Sequence, residues 1–83
     1  MPKPIERVQT GVRIEKRLLK VLKALAEYHN LSLGDLLEGI VLHNFENKMP
    51  FSKDTLKKID QLKDVYGLDL VAADSHHLLE KES

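Results

Sequence analysis

Residues 7–14 alternate between apolar and polar side chains, and this period of two constrains the fold more than any other feature of the chain. Val8, Val12 and Ile14 occupy even positions, whereas the odd positions hold polar side chains or, at Gly11, none. Such alternation predicts a β-strand with one buried face and one open face. Because no other stretch of the chain predicts a strand, its backbone groups lack a partner within the same chain. We therefore expect the partner strand to come from a second copy of the protein.

Three amphipathic helices are predicted to follow, over residues 15–29, 33–47 and 53–66. In each range, apolar side chains recur at spacings of three and four, which places them on one face. The expected buried faces are Leu18, Val21, Leu22, Leu25 and Tyr28 in the first helix, Leu33, Leu36, Leu37, Ile40, Val41 and Phe45 in the second, and Leu56, Ile59, Leu62 and Tyr66 in the third. A further short helix is expected within residues 69–80.

The predicted ends of these helices carry residues that commonly stop or start a helix. Asn30 and Gly67 are suited to the left-handed conformation that terminates a helix. Ser32 and Ser52 are expected N-caps, because a serine hydroxyl accepts a hydrogen bond from an amide in the first turn. Gly39 stands inside the second helix at a cost of about 1 kcal/mol relative to alanine. A close crossing with another helix would explain its position.

Length and composition predict one small domain in a soluble, cytoplasmic protein. The chain has 83 residues and no cysteine, which excludes disulfides and thiolate metal sites. No apolar run approaches the roughly 20 residues that span a bilayer, so no membrane association is expected. The N-terminus lacks the apolar stretch of a signal peptide. A chain this short buries only a modest core, and dimerisation commonly adds the buried surface that such a chain lacks.

The charges are divided unevenly although the formal net charge is zero. Residues 1–30 hold seven basic and three acidic side chains, whereas residues 31–83 hold six basic and ten acidic ones. Such asymmetry suggests a basic binding end and an acidic remainder. Charge alone does not distinguish a DNA-binding surface from an ordinary solvated one.

The order strand, helix, tight turn and helix over residues 7–47 resembles the ribbon-helix-helix DNA-binding proteins of the Arc/MetJ/CopG type. The most specific parts are Gln-Thr-Gly-Val-Arg-Ile at 9–14 and Asn-Leu-Ser at 30–32. The resemblance implies a mainly α fold, a ribbon-helix-helix homodimer whose N-terminal strand pairs across the dimer, with two core helices and an extra C-terminal helix per chain. We expect a flexible N-terminal arm over 1–6, a DNA-binding and dimerisation domain over 7–47, and a helical extension over 48–83.

The same resemblance implies a sequence-specific transcriptional regulator, acting as a repressor, that inserts a two-stranded ribbon into the major groove of double-stranded DNA. The positions that match the family's base-contacting strand are Arg7, Gln9, Gly11 and Arg13. The positions expected at DNA phosphates are Leu31, Ser32 and Leu33 at the start of the second helix, together with Lys16.

Two other functions fit the sequence. An antitoxin would combine DNA-binding autoregulation with a toxin-binding extension over residues 48–83, although a structural role for the third helix is favoured over a protein-docking role. A dimeric interaction module without DNA binding would explain Gly11 and the zero net charge.

We predict no enzymatic activity and no cofactor, since phosphate-binding loops and nucleophile motifs are absent. No metal site is predicted, because adjacent His76 and His77 point about 100° apart on a helix.

Overall fold

The computed structural model describes residues 2–80, which form three α-helices and a short 3-10 helix. The helices are α1 (Lys16–Tyr28), α2 (Leu33–Phe45) and α3 (Lys53–Tyr66), and the 3-10 helix is Ala72–Asp74. The helix α1 packs against both α2 and α3 and is the centre of the fold. Parts of the predicted arm and of the predicted extension, namely residues 1 and 81–83, lie outside the described residues.

The prediction of a strand over residues 7–14 is wrong, and the predicted ribbon-helix-helix fold is contradicted with it. The described chain is all-helical, and residues 2–80 contain no β-strand. Alternation decides which side chains share a face, but a strand also needs hydrogen bonds to a neighbouring strand, and the rest of this chain is occupied by helices and their connections. Val8 and Val12, which were expected on a buried face, are 80% and 72% exposed.

The three predicted helices form, with ends close to those expected. The helix α3 has the predicted bounds, α1 is one residue shorter at each end, and α2 stops two residues early at Phe45. The predicted caps Ser32 and Ser52 are confirmed, because their hydroxyls accept hydrogen bonds from the amides of Asp35 (3.1 Å) and Thr55 (3.2 Å). These hydroxyls satisfy amides that have no acceptor within the helix.

Left-handed residues end two of the helices as predicted. Asn30 has φ 58° and Gly67 has φ 65°. Asn47 also adopts this conformation, with φ 57°, and follows the end of α2. The short helix expected within residues 69–80 is the 3-10 helix.

The core is small and is centred on α1. Its buried apolar residues are Val21, Leu25, Ala26, Leu36 and Leu68. Partly buried side chains pack against the cluster formed by Leu25, Ala26 and Leu36; they are Leu22, Ile40, Phe51, Ile59 and Leu62. Each helix therefore contributes to one shared core.

Several side chains expected on buried faces are instead exposed. They are Leu18 and Tyr28 in α1, Val41 and Phe45 in α2, and Leu56 in α3. The deviation is largest in α2, where Leu36 alone is fully buried and Phe45 is 81% exposed. A Cβ added at Gly39 would meet no atom within 4 Å, so no close helix crossing within the described chain explains this glycine.

Polar contacts join α3 and the following turn to α1. Arg17 donates hydrogen bonds to the carbonyl oxygen of Gly67 (2.8 Å) and to Asp69 Oδ1 (3.0 Å). At the other end of the pair, the ring of His29 and the hydroxyl of buried Thr55 lie 3.2 Å apart. These contacts, together with the buried side chain of Leu68, make α3 part of the packed body of the chain.

Candidate nucleic-acid interface

The residues expected to contact DNA bases lie on a stretch without regular secondary structure, which we call the N-terminal segment (residues 7–14). The segment runs beside α1 and α2 and borders an open groove of about 740 Å³. The groove is lined partly by apolar side chains, among them Ile14, Leu19 and Leu37. The polar side chains of the segment are exposed at its surface.

Three of the predicted contact residues are open to solvent. Gln9 is exposed, and the side chain of Arg13 is 84% exposed. Arg13 Nη2 lies 2.9 Å from Glu80 Oε2, so an acidic residue near the C-terminus faces it. Gly11 is also exposed, and a Cβ built on it would meet no atom within 4 Å. Its backbone is therefore accessible for a close approach by another molecule.

Arg7, the fourth predicted base contact, is engaged by two carboxylates of α2. Its Nε donates to Glu38 Oε2 (2.9 Å), and its Nη2 donates to Glu38 Oε1 (2.8 Å) and to Asp35 Oδ1 (3.0 Å). The pair with Glu38 is bidentate, the geometry in which a guanidinium binds a carboxylate most strongly. Arg7 consequently anchors the N-terminal segment to α2.

The ionisation of this pair follows from its geometry. The hydrogen bond from Arg7 lowers the pKa of the Glu38 carboxyl below its ordinary value, although partial desolvation opposes the change. The hydrogen bond to Glu38 raises the pKa of the Arg7 guanidinium in turn. Both groups are therefore charged at neutral pH. The side chains remain about half exposed, so salt in the solvent screens their attraction.

The start of α2 differs in part from the predicted phosphate site. The amide of Leu31 donates to the carbonyl oxygen of Ala26 (2.8 Å), so it is already hydrogen-bonded within the chain, unlike the free amide that was expected. The amides of Ser32 and Leu33 belong to the start of the helix, where no intrahelical acceptor exists. The carboxylate of Asp35 lies in the same first turn and would repel a phosphate placed there.

Lys16, the remaining predicted phosphate contact, is the first residue of α1 and is exposed. It precedes Arg17, so two basic residues and no acidic one occupy the first turn of this helix. Positive charge at a helix N-terminus adds to the positive end of the helix dipole and is locally unfavourable. The Glu15 carboxylate offsets part of it, because it caps the helix and lies 3.2 Å from Arg17.

The structure does not gather the predicted DNA-contacting residues into one cluster. It also places carboxylates beside two of them, Arg7 and Arg13, and sequence reasoning missed these acidic neighbours. Arg7 contacts α2, Arg13 contacts Glu80, and Lys16 lies two residues beyond the N-terminal segment. Asp35 and Glu38 are three residues apart and share a helix face, and this spacing is the signal by which a paired acidic site could have been found. The sequence did not indicate which cation would occupy that site, because a 31-residue separation between partners leaves no local pattern.

Within residues 2–80, no group of three or more His, Asp or Glu side chains could hold a metal ion. In the same part of the chain, no helix is long and apolar enough to cross a membrane.

Comparison with protein-family models, with curated proteins and with solved structures gives no match to this chain. These comparisons neither confirm nor refute the resemblance to the ribbon-helix-helix family.

Proposed function

We propose that the protein is a small DNA-binding transcriptional regulator that contacts duplex DNA through the N-terminal segment, functions as a homodimer and acts in the cytoplasm. The observation that carries the proposal is the exposure of this segment, which has no regular secondary structure, within the basic part of the chain. Repression by occupying a promoter is the simplest mode of action for so small a protein.

The exposed side chains have the chemistry that base recognition requires. An arginine such as Arg13 donates two parallel hydrogen bonds to guanine O6 and N7, and a glutamine such as Gln9 pairs with adenine N6 and N7. Lys16 adds a cation that a phosphate would neutralise, which also explains its unfavourable place at the start of α1. Base contacts would supply sequence preference, and phosphate contacts would fix the orientation of the protein.

The exposed apolar side of α2 favours a second copy of the chain as the protein partner. Val41, Leu42, Phe45 and the nearby Met49 are all exposed, although a helix that is apolar on most sides is normally buried. The chain exposes 7620 Å², whereas a folded monomer of its mass, 9.5 kDa, exposes about 5,000 Å². A stable interface buries about 800 Å² per partner, well within this excess.

A dimeric interaction module without DNA binding is the second candidate. It is favoured by the carboxylates that face both arginines of the N-terminal segment, Asp35 and Glu38 at Arg7 and Glu80 at Arg13. In this alternative the apolar side of α2 has the same role, and the segment only covers the groove beside it.

Selection from a pool of random duplex DNA tests the proposal. The purified protein would be compared with Arg13→Ala and Arg13→Lys at low and moderate salt. We expect wild-type protein to enrich particular sequences, and Arg13→Ala to weaken binding to them by about 1–3 kcal/mol. Arg13→Lys keeps the charge but loses the paired hydrogen bonds, so it should bind with reduced sequence preference.

The matched control is Lys57→Ala, which removes one exposed positive charge from α3. It should leave the enriched sequences unchanged. Absence of enrichment and of salt-dependent affinity in a folded protein would contradict DNA binding and favour the interaction module. Equal losses in Arg13→Ala and Lys57→Ala would show that only overall charge matters.

A further inference from the structure

The Nε/Nη2 pair of donors that Arg7 presents to Glu38 is one of the two pairs that a guanidinium can present to DNA, and Nη2 belongs to both pairs. The Nε and Nη2 groups form a fork that binds a carboxylate, a phosphate or the edge of guanine in the same two-point geometry. In this chain both donors are already engaged by Glu38, and Nη2 also by Asp35. Binding of the Glu38 carboxylate and of DNA by this fork is therefore mutually exclusive.

The charge around Arg7 also opposes DNA. One guanidinium faces two carboxylates, so the three side chains together carry a net negative charge. A phosphate that approaches this cluster is repelled by the excess carboxylate unless the contact opens. The Arg7, Asp35 and Glu38 side chains are 59%, 47% and 44% exposed. The contact can thus open without unfolding α2.

We propose that Asp35 and Glu38 form an autoinhibitory contact that competes with DNA for Arg7 and lowers the affinity of the N-terminal segment for DNA. This inference rests on the proposed function and adds a regulatory element to it. While the contact is closed, Gln9 and Arg13 are the side chains available to bases. When it opens, Arg7 becomes a further contact and the segment is released from α2.

Affinity for a short fluorescein-labelled duplex, measured by anisotropy at low ionic strength, tests the competition. Glu38→Gln removes the charge of the main competitor and retains a residue that favours helix. Its matched control is Glu46→Gln, which makes the same charge change at an exposed glutamate whose own ion pair is with Lys48. We expect Glu38→Gln to bind DNA about two- to fivefold more tightly than Glu46→Gln. The expected gain is small because a half-exposed ion pair is weak.

The Arg7→Ala background shows whether the gain in DNA affinity depends on Arg7. In the double variant Arg7→Ala/Glu38→Gln, the gain over Arg7→Ala should disappear. The inference would be overturned if Glu38→Gln and Glu46→Gln bind DNA equally well, or if Glu38→Gln binds more weakly. It would also be overturned if the gain in affinity persists without Arg7. If the wild-type protein binds DNA, any of these results leaves the proposed function intact. If neither wild type nor Glu38→Gln binds DNA, both proposals fail together.

Discussion

Each α-helix of this protein begins at a side-chain oxygen that accepts a hydrogen bond from an amide in its first turn. Ser32 and Ser52 do so with hydroxyls, and Glu15 does so with a carboxylate whose Oε1 lies 2.9 Å from the Leu18 amide. The serines could be recognised from the sequence because serine is a preferred N-cap. Glu15 could not, because glutamate is uncommon at that position and its role depends on the non-helical backbone conformation of Glu15 itself.

The Glu15 cap makes a pH-dependent contribution to stability. The hydrogen bond from the Leu18 amide lowers the pKa of the Glu15 carboxyl, and Arg17 adds to the effect. The stabilisation should be complete above the unfolded-state pKa of about 4.3 and should disappear as the pH falls through the lower folded-state pKa. Urea unfolding of wild type and Glu15→Gln at several pH values measures it. The difference in unfolding free energy should shrink in acid, and a difference that does not vary with pH would refute the charged cap.

At the scale of elements, spacing and cap residues were enough to locate the three helices but not to decide what covers them. The predicted bounds of α3 and the ends near Asn30 and Gly67 are confirmed, because these signals are local. Burial is not local, since α1 alone contacts both other helices and leaves the C-terminal half of α2 exposed. The strand prediction was wrong for the same reason, because pairing depends on a partner that alternation does not supply.

Leu25 is the side chain on which the packing of α1 depends most. It is 1% exposed and lies in the cluster with Ala26 and Leu36. Leu25→Ala should lower the free energy of unfolding by about 2–5 kcal/mol, because the mutation leaves a cavity at the contact with α2. Thermal and urea denaturation followed by circular dichroism would measure the loss. Leu79→Ala is the control, since Leu79 is 96% exposed and should change stability by less than about 0.5 kcal/mol. Similar values for the two variants would show that α1 packs differently.

For the whole molecule, the two proposed partners are argued from different features, the excess of exposed surface and the division of charge. The apolar surface at the C-terminal half of α2 suits another apolar surface, and the basic N-terminal segment suits an anion. The charge division was evident in the sequence. The exposure of this apolar surface was not, because the helical pattern placed Val41 and Phe45 on a buried face.

Phe45 should be a main contributor to self-association, since it is the largest exposed side chain on α2 and is 81% exposed. Phe45→Asp should raise the dissociation constant of the dimer by about tenfold or more, because it places a charge in an apolar interface. Sedimentation equilibrium over a range of protein concentrations measures the constant. The control Val65→Asp introduces the same charge at an exposed residue of α3 and should leave association unchanged. A wild-type protein that stays monomeric at all concentrations would contradict the homodimer.

The most direct test of DNA contact by the N-terminal segment is a residue-by-residue NMR titration of the protein with short duplex DNA at constant salt. Backbone amide shifts should concentrate in residues 7–16 and at the start of α2, whereas residues 53–66 of α3 should change little. The arginine side-chain resonance of Arg13 should move in parallel with the amides. Shifts that centre on α3, or no shifts at all in residues 7–16, would contradict the assignment of this segment as the DNA-contacting surface.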